Sequence, residues 1–133
     1  MTTKLFCIAL LAAASMYAEM SQKLIVQVPF GFHVGNSTLP AGEYTVATDA
    51  GSHLVRLRSA DWKSAVMILT NAVQTFPAPG EGKLIFTRYG DEYFLSSIWK
   101  AGEDTGNELS KSRREREVAA ISRRGVQTVL ASK

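Results

Sequence analysis

Cysteine is nearly absent: Cys7 is the only one in 133 residues. It lies inside an amino-terminal apolar run, so a domain that begins after that run has no disulfide, no thiol nucleophile and no thiolate metal ligand, and its stability rests on a packed core. Histidine is scarce as well, with only His33 and His53, and the two do not stand in metal-ligand spacing. No Gly-x-Ser-x-Gly elbow and no glycine-rich phosphate loop occurs, which removes common hydrolase and nucleotide-binding signatures. There is no internal repeat and no low-complexity tract. Long apolar runs are missing too: the longest, Leu5 to Ala14, has ten residues, too few to cross a bilayer as a helix.

That run has the layout of a secretory signal peptide. Lys4 precedes it, and Ser15 and Ala18 offer small residues after it. Taking the cut after Ala18, the expectation is an exported chain, periplasmic or extracellular, with no transmembrane span once residues 1–18 are removed. About 115 residues remain, enough for one domain that buries roughly two-thirds of its unfolded surface. Charge is uneven along them. Residues 19–110 hold 7 Lys and Arg against 10 Asp and Glu, whereas residues 111–133 hold 7 against 2. The basic character of the chain therefore belongs to its tail and says little about what the body binds.

The body reads as β structure. Leu24, Val26 and Val28 alternate with Ile25 and Gln27, a period of two that suits a half-buried strand ended by Pro29. Gly35-Asn36-Ser37-Thr38 and Pro40-Ala41-Gly42 supply turn chemistry before Glu43 to Ala47 resumes the strand pattern. Val55 and Leu57 alternate with Arg56 and Arg58, predicting a strand with one face in water, and the unbroken run Ala65 to Leu69 predicts one buried on both faces. Lys83 to Tyr89 and Glu92 to Lys100 flank Gly90-Asp91, a two-residue hairpin signal. Its aromatic weight marks it as the centre of the core. From Asn107 the pattern changes: Lys111 with Glu115 and Arg113 with Glu117 stand four apart, as on an exposed helix. Val126 to Leu130 then reads as a last edge strand or a frayed end. The expected fold is mainly β, a small antiparallel β-sandwich or barrel with one C-terminal helix. Its divisions are a signal peptide (1–18), a β domain (19–106) and a charged helix with tail (107–133).

Val28-Pro29-Phe30, Phe32-His33-Val34-Gly35 and Leu39-Pro40-Ala41-Gly42-Glu43-Tyr44-Thr45-Val46, followed by Gly82 to Phe86, Arg88 to Asp91, Tyr93 to Leu95, Ile98-Trp99 and Glu108 to Ser112, resemble a family of short exported bacterial β-rich proteins with no assigned activity. The resemblance covers nearly all of the chain after residue 18. It implies export and a β fold, and carries no activity, cofactor or active site. The Leu39 to Val46 piece alone also resembles turns in prealbumin-like and carboxypeptidase-regulatory-like modules.

The remaining side chains offer weak chemistry. His33 and His53 would need a carboxylate such as Glu43 or Asp61 to form a three-ligand zinc-type site, against a plainer reading as surface or hydrogen-bonded histidines. Ser96 and Ser97 lie in a strand, where they fill small positions opposite aromatic ones. Asp91-Glu92 and Glu103-Asp104 are adjacent acids in loops, a placement typical of solvated pairs. Arg88 and Tyr89, with Tyr93 and Trp99, form either an aromatic and basic face for a sugar or peptide or part of the core, the reading favoured here. Arg113 and Arg114 fall in a basic run diluted by Glu115 and Glu117. That composition fits a solvated helix face, with weak electrostatic docking to an acidic partner as the functional alternative, and export makes nucleic acid an unsuitable partner. Asn36-Ser37-Thr38 matches a glycosylation sequon. No catalytic residue, metal or cofactor is assigned. The expectation is an exported, non-enzymatic β domain that binds a protein partner or the cell envelope. The alternatives are a small-ligand carrier or a small hydrolase with a strand-scattered His/acid site.

Overall fold

Alternation and turn chemistry lay out eleven strands and one helix in the computed structural model, which describes residues 23–48, 53–122 and 124–133. The expected signal peptide and Cys7 lie outside the described residues. The strands are β1 (Lys23–Val28), β2 (Phe32–Val34), β3 (Ser37–Leu39), β4 (Gly42–Thr48), β5 (Leu54–Ser59), β6 (Ala65–Leu69), β7 (Asn71–Gln74), β8 (Lys83–Tyr89), β9 (Glu92–Trp99), β10 (Thr105–Glu108) and β11 (Val126–Ala131), and helix α1 (Arg113–Ser122) precedes the last strand.

They form two sheets. One has the order β1-β4-β5-β6, the other β11-β8-β9-β10-β7 with the β2–β3 hairpin attached to β9. Pairing is antiparallel except where His33 of β2 meets Phe94 of β9 in parallel. The arrangement is a β-sandwich with one helix near the C-terminus. β11 is an edge strand paired along its whole length with β8, so the tail is stitched into the sheet. β6 and β7 form one nearly continuous strand that changes sheet at Thr70. There the buried Thr70 hydroxyl donates to the His53 carbonyl at 2.8 Å and accepts from the Asn107 amide at 2.9 Å, so the corner leaves no polar group of that side chain unmet.

The core lies between the sheets. Val26, Val28, Tyr44, Val46, Val55 and Leu57 face Leu84, Phe86, Leu95 and Ile98, and each large side chain so buried contributes about 1.5–3 kcal/mol of transfer free energy. Phe32 and Phe30 set their rings edge-on to Phe86 at 5.4 and 5.1 Å between centroids. The Tyr44 hydroxyl donates to the Pro40 carbonyl, which meets its polar end inside this core.

The β8–β9 hairpin turns at Gly90-Asp91 as its sequence predicts. Gly90 has φ +61° and no other turn residue is left-handed, the type II′ pattern that a glycine in first place favours. The pairing then slips between Ile85 and Phe86, whose partners are Ser97 and Leu95. The bulge takes up Ser96, so that Leu95 and Ile98, three residues apart, both reach the inner core while Phe94 and Trp99 face the opposite side. A second, smaller core forms on that opposite side, where Tyr89, Phe94 and Val118 of α1 pack together. Gly106 passes so close to the Trp99 indole that a Cβ there would stand 2.6 Å from Cε3, which explains a glycine inside β10.

One strand departs from its sequence reading. Ala65 to Leu69, expected to be buried on both faces, is the last strand on its side of the four-stranded sheet, with Ala65, Met67 and Leu69 exposed and only Val66 and Ile68 turned partly inward. A continuous apolar run reports that a strand is sticky on both faces and does not say that anything covers the second.

Candidate binding surface

Polar side chains gather in two places, and the first lies beneath α1. Ser112 caps the helix, its hydroxyl receiving the Glu115 N–H at 3.1 Å, and Ser112-x-x-Glu115 has the spacing of a capping box. The Glu115 carboxylate does not return to the cap. It turns into the small core and accepts the Tyr89 hydroxyl at 3.0 Å, so burial and this carboxylate together push the Tyr89 hydroxyl above the ordinary tyrosine range. Next to it, Arg114 holds Glu92 with two hydrogen bonds, one of 3.1 Å from Nε. That guanidinium keeps the Glu92 carboxyl below the usual carboxylate range. His33 completes the row: its ring stacks on Phe94 at 4.5 Å, Nδ1 meets the Thr38 hydroxyl at 3.2 Å, and Nε2 stands 3.5 Å from Glu92.

His33, Tyr89 and Arg114 thus come together around Glu92 and Glu115, and what they do is fasten α1 and the β2–β3 hairpin to the β8–β9 hairpin. The other candidate residues stand elsewhere. His53 leads into β5 of the other sheet and is exposed, its carbonyl engaged by Thr70. Arg88 is exposed on β8, paired in register with Tyr93 and Val126. Arg113 is exposed and forms a 3.2 Å ion pair with Glu117 on its own helix. The aromatic face drawn from Arg88, Tyr89, Tyr93 and Trp99 does not form as one surface. Tyr89 and Trp99 are buried, and Tyr93 stacks on Phe30 at 3.7 Å. Among the described residues no group of three or more His, Cys, Asp or Glu is placed to hold a metal ion, so the zinc-type convergence of the two histidines is not formed there. No helix of the described residues is long and apolar enough to cross a membrane.

The second place is the outer face of the four-stranded sheet, and here an aromatic and a cation do meet. Register puts Lys23, Ala47, Arg56 and Met67 in one row across it and Ile25, Thr45, Arg58 and Ala65 in the next. The small side chains Thr45, Ala47 and Ala65 leave a shallow groove of about 310 Å³ between the longer ones. At its end the turn from β5 to β6 carries Trp62, 72 % exposed, with the Arg58 guanidinium 3.6 Å from the ring centroid. No protein-family model, curated protein or solved structure matches the chain. The reading of this surface rests on its own geometry.

That geometry is costly to hold. Trp62 has φ +64°, a left-handed conformation that a bulky residue adopts at a penalty of about 1–2 kcal/mol. The turn around it is tied at several points. The Ser59 hydroxyl donates to Asp61 at 2.6 Å, the Lys63 N–H donates to the same oxygen at 3.0 Å, and the Ser64 N–H donates to Ser59 Oγ at 3.0 Å. Backbone bonds from Trp62 to Ser59 and from Ala60 to Glu43 close it. The Ser59 hydroxyl and the Lys63 amide also hold the Asp61 carboxyl below its usual range. Strain of this kind persists only where surrounding bonds over-determine it, and here they present an indole to solvent. The sequence reading passed over Trp62. The signal available was a large aromatic among Ser59, Asp61, Lys63 and Ser64, in a turn that ordinarily takes small or polar residues.

Proposed function

We propose that the chain is an exported, non-enzymatic binding domain that engages a protein partner, in or beyond the cell envelope, through the outer face and open edge of its four-stranded sheet. One observation carries this reading. Trp62, Met67 and Leu69, exposed by 72, 60 and 74 %, lie on one strand and the turn that leads into it. Other exposed apolar residues, such as Phe76 and Ile121, lie on different elements, whereas Met67 and Leu69 share one face of a strand whose neighbour presents Arg56 and Arg58, an apolar surface with a basic rim of the kind that marks an interaction site. Large anchors such as Trp and Met, with Arg beside them, are the residues that interfaces enrich. The layout of Lys4, Leu5 to Ala14 and Ala18 supports export. The non-enzymatic reading is supported by the way the side chains suited to acid–base work are engaged in fastening elements together: His33 with Thr38 and Glu92, and Glu115 with Tyr89.

The test is native mass spectrometry of the protein taken from the producing cell, beside a Met67→Glu/Leu69→Glu variant. The expected result is a stoichiometric second polypeptide on the natural chain and a bare mass for the variant. A small molecule in place of a polypeptide, or a partner retained by the variant, would overturn the reading.

A further inference from the structure

Sheet edges expose unpaired N–H and C=O groups and are ordinarily blunted by charge, proline, shortness or cover. The edges of this fold differ sharply in how far that is done. β1 and β11 lean together where the Lys133 N–H donates to the Ile25 carbonyl at 2.9 Å. β7 carries Asn71 and Gln74 at its two ends, and β3 is three residues with Ser37 and Thr38 exposed. β11 also exposes Val126 and Val129, but an odd spacing along a strand turns them to opposite faces. β6 has neither charge nor proline, and its exposed positions are Ala65, Met67 and Leu69.

The hydrogen bonds set which backbone groups of β6 are offered. The Ser59 N–H donates to the Ser64 carbonyl and the Thr70 N–H to the His53 carbonyl, both at 2.8 Å. Alternation in an antiparallel pair then makes Val66 and Ile68 the positions bonded to β5 and turns the N–H and C=O of Ala65, Met67 and Leu69 away from the sheet. Three donors and three acceptors in a row, beside apolar side chains, form a template for one more strand.

Resting on the binding reading above, we infer that β6 receives an extended segment of the partner protein as an added antiparallel strand, with apolar side chains beside Met67 and Leu69 and an acidic one beside Ala65. The charge follows from register. Arg58 stands opposite Ala65 with its guanidinium over the Trp62 ring, and an added strand lies about 10 Å from β5, so that a glutamate beside Ala65 comes within reach of a guanidinium whose N–H edge can pair with a carboxylate while its face stacks on the indole.

The probes are two blocked peptides, acetyl-Thr-Leu-Thr-Leu-Thr-Glu-Thr-amide and its counterpart with lysine in place of glutamate, titrated into the isotopically labelled protein. The inference predicts that the glutamate peptide shifts the amide signals of Ala65, Met67 and Leu69 and slows their hydrogen exchange, and that the lysine peptide binds at least tenfold more weakly. Met67→Pro removes an outward N–H while sparing the β5 ladder, a place where an edge strand tolerates proline. It should keep the fold, checked by the dispersion of the amide spectrum, and lose the glutamate peptide at least tenfold. Arg58→Glu should reverse the preference between the peptides. Equal binding of both peptides, or shifts without slowed exchange at the three edge amides, would overturn strand addition. So would edge protection that grows with protein concentration and no peptide, which would identify self-pairing. If Met67→Glu/Leu69→Glu strips the natural partner while neither peptide protects the edge, this inference fails alone; if the partner stays on that variant, the binding reading fails with it.

Discussion

Replacing Tyr89 with Phe removes one oxygen and leaves the shape of the small core intact, so its cost isolates the bond that anchors α1. The Tyr89 hydroxyl donates to Glu115 at 3.0 Å, and both residues are only 6 % exposed. A hydrogen bond to a charged group is worth about 1.5–3 kcal/mol, and leaving the acceptor buried and unmet places the loss in the middle of that range. Tyr89→Phe should therefore cost about 2 kcal/mol in urea unfolding, which for a domain of this size lowers the melting midpoint by roughly 8 °C. Glu115→Leu removes the other partner together with a favourable charge in the first turn of the helix, itself worth about 0.3–1 kcal/mol. The two losses share one interaction, so the double variant should fall short of their sum by at least about 1 kcal/mol. A cost for Tyr89→Phe below about 0.5 kcal/mol, or additivity of the two changes to within about 0.5 kcal/mol, would show that the hydroxyl and the carboxylate do not hold the helix as described.

Glu92 links stability to pH. Its carboxyl is held below the ordinary range chiefly by the hydrogen bonds from Arg114, so its folded value lies under its unfolded one near ~4.3. The contribution is then fully present above that unfolded value and is lost as pH falls through the folded one; the stability gap between the natural chain and Glu92→Gln, measured by denaturant unfolding, should be constant at neutral pH and narrow below it. Gly106→Ala should destabilise by about 1–3 kcal/mol, because its Cβ would meet the Trp99 ring at 2.6 Å; thermal unfolding at the natural midpoint would contradict this. Trp62→Gly should change stability by less than about 1 kcal/mol, relief of left-handed strain offsetting the lost contact with Arg58. The same variant should weaken partner binding at least tenfold, and a large loss of stability with intact binding would assign Trp62 to the fold.

Much of the fold was legible because its signals are local. The alternation of Leu24, Val26 and Val28, the Gly90-Asp91 hairpin and the four-apart pair Arg113–Glu117 each report geometry that their own few residues enforce, whereas Lys111 precedes the helix and its expected partner Glu115 turns inward to Tyr89. The bulge at Ser96 was not legible, since the two-apart pattern breaks there only to satisfy two cores at once, with Phe94 facing α1 and Leu95 the other sheet. The meeting of His33, Glu92 and Arg114 depends on a parallel contact between distant strands, which no spacing announces. The exposed face proposed for binding was hidden for a simpler reason. The apolar run Ala65 to Leu69 looks the same whether a neighbour covers it or solvent does, and only the order β1-β4-β5-β6 distinguishes the two. Arg56 and Arg58 were read as a solvated face, and the cation–aromatic contact was sought in the β8–β9 hairpin, whose aromatics the core consumes.

If the open edge of β6 is where this domain meets its partner, its outward amides must become protected there. Hydrogen exchange of the Ala65, Met67 and Leu69 amides, compared between the purified protein and the complex isolated from the producing cell, tests it most directly. Fast exchange at all three in the free protein and strong slowing in the complex are expected. Unchanged exchange at these amides, with protection gathered instead over α1 and His33, would contradict it and move the interface to the opposite sheet.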